Sequence, residues 1–184
     1  MTSGAEDATP LPERRGPTPA QARWIVGAVA LCAVVALFLP RGDKTFEAPG
    51  GFPLDAGGRP VPLGTRMAPV TLVHFWSTWC PPCLTEIPAI QRLGEELHGE
   101  PSFRLLLVAV DDEVAKVETF LGDRAGGVLY DPAWEIAHRY GTRKLPETYL
   151  VVGGEVVEKW VGATDWDAVP ERAKVLAALA RRDA

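Results

Sequence analysis

The stretch "FWSTWCPPCLTEIP", residues 75–88, holds two of the three cysteines of a 184-residue chain. Both residues between Cys80 and Cys83 are proline, Trp79 precedes the pair, and Glu86 follows three positions after Cys83. Upstream, "APVTLVHFW" at residues 68–76 is a mostly apolar run that reads as a strand. Downstream, Leu84, Ile87, Ile90, Leu93 and Leu97 recur at helical spacing and predict a helix over residues 80–98. Cys80 therefore falls where a strand ends and a helix begins. The first turn of a helix offers free N–H groups and the positive end of the macrodipole. A thiolate placed there is stabilised, and the thiolate is the reactive form of cysteine. A Cys-x-x-Cys pair in this position can close a disulfide and trade two electrons through a mixed disulfide.

Other uses of the pair fit less well. A structural zinc site needs four ligands, and the chain has no second Cys-x-x-Cys and no histidine pair. A covalent haem site places histidine directly after the second cysteine, where this chain has Leu84. An inert structural disulfide stays open as an alternative, although its tiny loop would stabilise little. No metal and no cofactor is implied.

Further along, "FRLLLVAV" at residues 103–110 is an uninterrupted apolar run, as in a parallel strand buried on both faces. Asp111 and Asp112 then read as caps of a helix carrying Val114, Val117, Phe120 and Leu121. Asp131-Pro132 opens a short helix reaching Tyr140. "TYLVV" and "EVVEKWV" flank Gly153-Gly154 and predict a two-residue hairpin. A last helix runs over residues 167–181, and residues 50–63 read as an irregular hairpin leading into the domain. A βαβ unit followed by a hairpin and a helix implies an α/β fold: a mixed sheet with helices on both faces. There are no internal repeats.

The N-terminal quarter differs in kind. Residues 1–23 are rich in Pro, Ala, Gly and Thr and read as a disordered tail. "WIVGAVALCAVVALFLP", residues 24–40, carries no charge and is bracketed by Arg23 and Arg41. It is just long enough to cross a thin hydrocarbon core, with the arginines snorkelling. The run ends in Leu-Pro-Arg without a small-x-small cleavage site, and Leu31 before Cys32 does not suit a lipoprotein. It is read as a retained signal anchor, with Cys32 a small apolar filler. Arg14, Arg15 and Arg23 before the span outnumber Arg41 and Lys44 after it, which puts the tail in the cytoplasm and residues 41–184 outside. An envelope compartment where disulfides form follows. A net charge of −5 without a basic stripe argues against nucleic acid.

These motifs resemble the thioredoxin superfamily, specifically its membrane-anchored TlpA/ResA/DsbE-like branch, over roughly residues 46–180. "HFWSTWCPPC" matches the strand-to-helix turn of that branch, Pro88 its helix-kink proline, and Glu86 the acidic residue of its reductases. "LPETYLV" at residues 145–151 matches the loop whose proline, here Pro146, is cis and faces the active site. An insertion around residues 110–140 is also typical. The resemblance implies a thioredoxin fold over residues 41–184, with Cys80 the exposed attacking sulfur and Cys83 the covered, resolving one. Trp76 and Trp79 are expected to pack beside the site, with Trp79 shielding the sulfurs, and the Leu145 backbone to pair with an extended substrate. Pro81 and Pro82 bring no charge, which points to a reducing couple.

One position departs from the family. Six residues before Cys80, where Asp or Asn is usual, stands His74. It is either a buried neutral imidazole or a partner in moving the Cys83 proton through Glu86. His98 and His138 read as solvated.

The implied activity is that of a thiol–disulfide oxidoreductase. It would sit as a single-pass protein of the cell inner membrane, with its catalytic domain in the periplasm. Implied substrates are apocytochrome c cysteine pairs or thiols of a copper-site assembly protein, with electrons drawn from a membrane thiol carrier. The alternatives are a dithiol oxidase or isomerase, a thiol peroxidase and a metallochaperone. An oxidase of the DsbA kind needs a larger helical insertion. A peroxidase needs Thr-x-x-Cys, and Thr78 stands only two before Cys80. A metallochaperone needs Cys-x-x-x-Cys.

Overall fold

The structure, a computed structural model, describes residues 45–182. The tail (1–23) and the anchor segment (24–40) inferred from the sequence lie outside the described residues. Among those described, no helix is long and apolar enough to cross a membrane.

The apolar run before the cysteines forms β2 (Val70–Trp76), buried at every position. It is buried because it is central. β3 (Phe103–Val110) pairs with it in parallel on one side, and β5 (Glu147–Val152) pairs antiparallel on the other. β6 (Glu155–Val161) continues from β5 across the expected hairpin, where Gly153 and Gly154 have φ of 59° and 92°. Only glycine takes two successive positive φ values without steric cost. The two-residue β1 (Phe46–Glu47) closes the outer edge, giving a six-stranded sheet in the order β1-β6-β5-β2-β3-β4, where β4 is Leu129–Asp131.

Helices cover both faces. α1 (Pro81–Glu96) lays Cys83, Ile87, Ile90 and Leu93 against Leu72, Trp76 and Leu107. α2 (Val114–Leu121) and α4 (Val169–Arg182) complete that layer through Val117, Leu121, Val175 and Leu179. Each of these apolar side chains, once fully buried, stabilises the fold by about 1.5–3 kcal/mol. The opposite face gathers Val73, Phe75, Val108 and Tyr149 with Leu63 and with Ile136, Ala137 and Tyr140 of α3 (Glu135–Arg139) and its C-terminal cap. A residue on β2 therefore faces α1 at an even number and α3 at an odd one.

Three local expectations are corrected. A short parallel strand, β4 (Leu129–Asp131), pairs with the end of β3. It contains Asp131, so α3 (Glu135–Arg139) starts later than Asp131-Pro132 suggested. The Asp131 carboxylate instead accepts the Ala137 N–H at 2.8 Å, bracing α3 from the side. Asp111 and Asp112 do not cap α2: its N-cap is Glu113, and no side chain closes it. The Asp112 carboxylate is used elsewhere, as described below. The irregular lead-in is borne out, with Leu54 bridging both Pro60 and Tyr130.

Candidate active site

The parallel strands β2, β3 and β4 end together, since Trp76 is level with Ala109 and Val110 with Asp131. β5 begins at the same level, with Glu147 opposite Phe75. The loops at 77–80, 111–113, 132–134 and 143–146 therefore gather at one end of the sheet, where α/β folds bind their ligands.

Cys80 is the N-cap of α1, with Pro81 and Pro82 as its first two helical residues. Proline suits those positions because their N–H groups have no partner within the helix. Cys80 and Cys83 form a disulfide with Cα atoms 5.3 Å apart. Cys80 keeps 5% of its surface and Cys83 none. The expected order of exposure is present, but the opening at Cys80 is narrow. Pro88 lies inside α1, as anticipated.

The turn before the cysteines is held by Asp112. Its carboxylate accepts the Ser77 hydroxyl at 2.9 Å, the Thr78 N–H at 2.5 Å and the Thr78 hydroxyl at 2.8 Å. The expectation that both tryptophans pack is half right. Trp76 is fully buried, whereas Trp79 is 53% exposed and donates its indole N–H to the Asp111 carbonyl at 2.8 Å.

Glu86 is buried, 3% exposed, one turn beyond Cys83. The Trp166 indole N–H donates to its Oε1, while Oε2 has no partner. Loss of water pushes its carboxyl up to about 7, against weaker opposing pulls from Trp166 and the Thr164 backbone. His74 lies directly beneath, fully buried, its Nδ1 2.8 Å from the Thr148 hydroxyl and 4.0 Å from Glu86 Oε1. Burial lowers the imidazole to about 3, so it is neutral. Its Nε2 is without a partner. Two buried titratable groups thus meet at the root of the active-site helix, and neither carries full charge near neutral pH.

On the facing loop, the Leu145–Pro146 peptide bond is cis. Leu145 packs against the same cluster that contains both cysteines. Directly after it, buried Glu147 pairs with Lys159 at 2.8 Å and accepts the Tyr149 hydroxyl at 2.8 Å. His98 and His138 are exposed, as expected. No cluster of metal-ligating side chains occurs among the described residues.

A family model described as Redoxin matches residues 44–179. The chain belongs to the Redoxin family. Within that family it is 29% identical over 143 residues to the thiol-disulfide oxidoreductase ResA of Bacillus cereus, covering 72% of this chain and 82% of the relative. It is 33% identical over 103 residues to a thiol:disulfide interchange protein DsbE homolog of Paracoccus denitrificans, covering 53% of each. A crystal structure from Chlorobium tepidum, described as a DsbE-type thiol:disulfide interchange protein, superposes with a TM-score of 0.65 at 26% identity. That match covers 74% of this chain and 98% of the other. This Redoxin member is accordingly a ResA/DsbE-like protein of the thioredoxin superfamily and a thiol–disulfide oxidoreductase with a Cys80–Cys83 pair.

Sequence reasoning missed several residues of the site in this Redoxin fold. Asp112 had a signal, being an acid at the end of a buried parallel strand, but its helix-cap reading concealed it. Trp166 and Glu147 reach the site only through tertiary contacts and had no local signature.

Proposed function

We propose that this chain is a membrane-anchored periplasmic reductant of protein disulfides, held by residues 24–40 in a bilayer. Its substrates are the cysteine pairs of apocytochromes c or the thiols of a copper-site assembly protein, and a membrane thiol carrier re-reduces it. One observation carries the direction of electron flow. The helix start leaves no free N–H to stabilise a Cys80 thiolate. Pro81 and Pro82 have none, and the Cys83 and Leu84 N–H groups both donate to the Cys80 carbonyl, at 3.0 and 3.2 Å. Couples become oxidising when their reduced form is stabilised. Here that stabilisation is missing, so the dithiol gives up its electrons.

In this scheme the Cys80 thiolate attacks a substrate sulfur, the substrate S–S bond breaks, and its other sulfur leaves as a thiolate that takes up a proton. That proton comes from the Glu86 carboxyl, and the carboxylate so formed accepts the proton of Cys83, which attacks Cys80 Sγ. The second substrate thiol is released and the Cys80–Cys83 bond closes. Two electrons have moved from the protein dithiol to the substrate. Glu86 holds the proton, and the neutral imidazole of His74 beneath it leaves that carboxyl protonated. Trp79, Leu145 and Pro146 line the approach, with the Leu145 backbone available to an extended chain.

The reduction potential of the pair tests this reading. A value near that of thioredoxin, about −270 mV, supports it, and one near the strong oxidant DsbA, about −120 mV, overturns it. Cys80→Ser should abolish exchange, while Cys83→Ser should trap a mixed disulfide through Cys80. Preferential alkylation of Cys83 in the reduced protein reverses the two roles. Glu86→Gln should keep the fold and slow exchange about tenfold or more. Glu86→Gln should also change the pH dependence of Cys80 alkylation, and His74→Asn, measured beside it, shows whether the imidazole shares that role.

A further inference from the structure

Besides Trp79, the segments that leave the sheet beside Cys80 carry two aromatic rings that the redox scheme does not use, those of Trp134 and His138. Trp79 stands in the open, immediately before the attacking cysteine, with its indole fixed to the Asp111 carbonyl. Trp134, on the loop after β4, lies 6.5 Å from it between ring centroids. His138 of α3 stacks on Trp134 at 5.6 Å and an interplanar angle of 30°. Three flat rings thus form a continuous row leading away from Cys80.

The backbone beneath the row is unusual. Asp111 and Trp134, with φ of 48° and 59°, are the two non-glycine residues with positive φ among those described. Aspartate tolerates that region, but a bulky side chain there is a true outlier. Asp111 supplies the carbonyl that fixes Trp79, and Trp134 is itself one of the rings. Trp134 also packs against the cluster that contains Phe75 and Tyr149. Strained backbone kept at a functional end of a fold points to a use for what it displays.

The occupant follows from continuity with Cys80. Thiol–disulfide exchange brings a substrate sulfur onto Cys80, so the residues flanking that sulfur must pass Trp79. Flat rings favour other flat rings, in offset or edge-to-face contact. We propose that Trp79, Trp134 and His138 form a docking rail that selects protein substrates with an aromatic side chain next to the reactive cysteine pair. This rests on the reading of the protein as one that acts on protein disulfides, and it adds the substrate class.

The test uses the full-length protein and two oxidised peptides, Cys-x-x-Cys-Phe and Cys-x-x-Cys-Ala. Bis(2-hydroxyethyl) disulfide, too small to reach the rail, is the control. Wild type should favour the Phe peptide about tenfold in kcat/KM, mainly through KM. Trp134→Gly removes the ring while glycine accepts the backbone at that φ. It should bring the two peptides to within about twofold and leave the rate on the small disulfide unchanged. Should that variant fail to fold, His138→Ala is expected to lose about threefold of the preference. Equal kcat/KM for both peptides in wild type, or a preference that survives the ring deletions, overturns the rail. If the small disulfide reacts but neither peptide does, the reading that the protein acts on protein disulfides fails by itself. The rail is then decided by tryptophan quenching with the S-methylated peptides, where the same preference and the same loss are required.

Discussion

Replacing Glu86 with glutamine should make the protein more stable relative to wild type as pH rises, by about 3 kcal/mol between pH 4.5 and 7. In the native state the buried carboxyl holds its proton up to about pH 7, whereas the unfolded chain releases it near 4.5. Across that window the native state binds more protons, so its stability falls as pH rises, by about 1.4 kcal/mol per pH unit. The contribution is complete below pH 4.5 and lost as pH climbs through 7. His74 acts with the opposite sign. Its native imidazole stays neutral down to about 3, while the unfolded one takes up a proton at 6.5. That contribution is present above pH 6.5 and fades as pH falls. Between 4.5 and 6.5 the two slopes cancel: folding moves one proton from the imidazole to the carboxyl without changing the count. Glutamine cannot titrate but keeps an acceptor for Trp166, so it removes one side of this balance. Urea denaturation of the oxidised protein, repeated across this pH range, reads the difference directly. A Glu86→Gln difference that does not vary with pH would mean an ordinary carboxyl, and would refute both the buried-acid argument and the proton-storage role built on it.

Two further outcomes follow from the same geometry. Trp166→Phe removes the N–H that holds the Glu86 carboxyl down, so the upper end of the pH window above should move beyond 7; an unchanged or lowered end point would show that the indole bond does not act on the carboxyl. Asp112→Ala leaves the Ser77 and Thr78 hydroxyls and the Thr78 N–H without their acceptor. It should cost about 2 kcal/mol in a denaturant titration and slow exchange at Cys80, and a neutral effect on both would show that the turn holds itself.

What could be read from the sequence was whatever depends on neighbours along the chain. The strand over Phe103–Val110 carried an uninterrupted apolar run because both its faces are covered, and its bounds came out as expected. The Gly153-Gly154 hairpin was legible because two successive positive φ values leave glycine little competition. Cys80 at a helix start followed from a mostly apolar run giving way to apolar residues at helical spacing. The missed parts depend on distance. β4 has three residues and owes its existence to its register with β3, and a run that short has no period to detect. Asp112 obeyed the capping pattern, yet hydrogen-bond donors some 34 residues earlier in the chain claimed its carboxylate. Glu86 was placed on the right face by its spacing from Cys83. That it is buried depends on Trp166, 80 residues away, closing over it.

The neutral state of His74 bears on the acid above it. A cation 4.0 Å from Glu86 would favour the carboxylate and pull its proton off well below neutral pH. Lysine or arginine at position 74 would therefore destroy the proton store that the scheme requires. An imidazole buried so completely that it rejects its own proton gives a polar floor without a charge. The helix start above supplies no N–H to hold a thiolate, so the sulfurs cannot rely on the backbone to manage their charge. The two features depend on each other. A couple whose thiolate is poorly stabilised needs an acid close by that is still protonated at working pH, and Glu86 meets that need only while the group beneath it stays neutral.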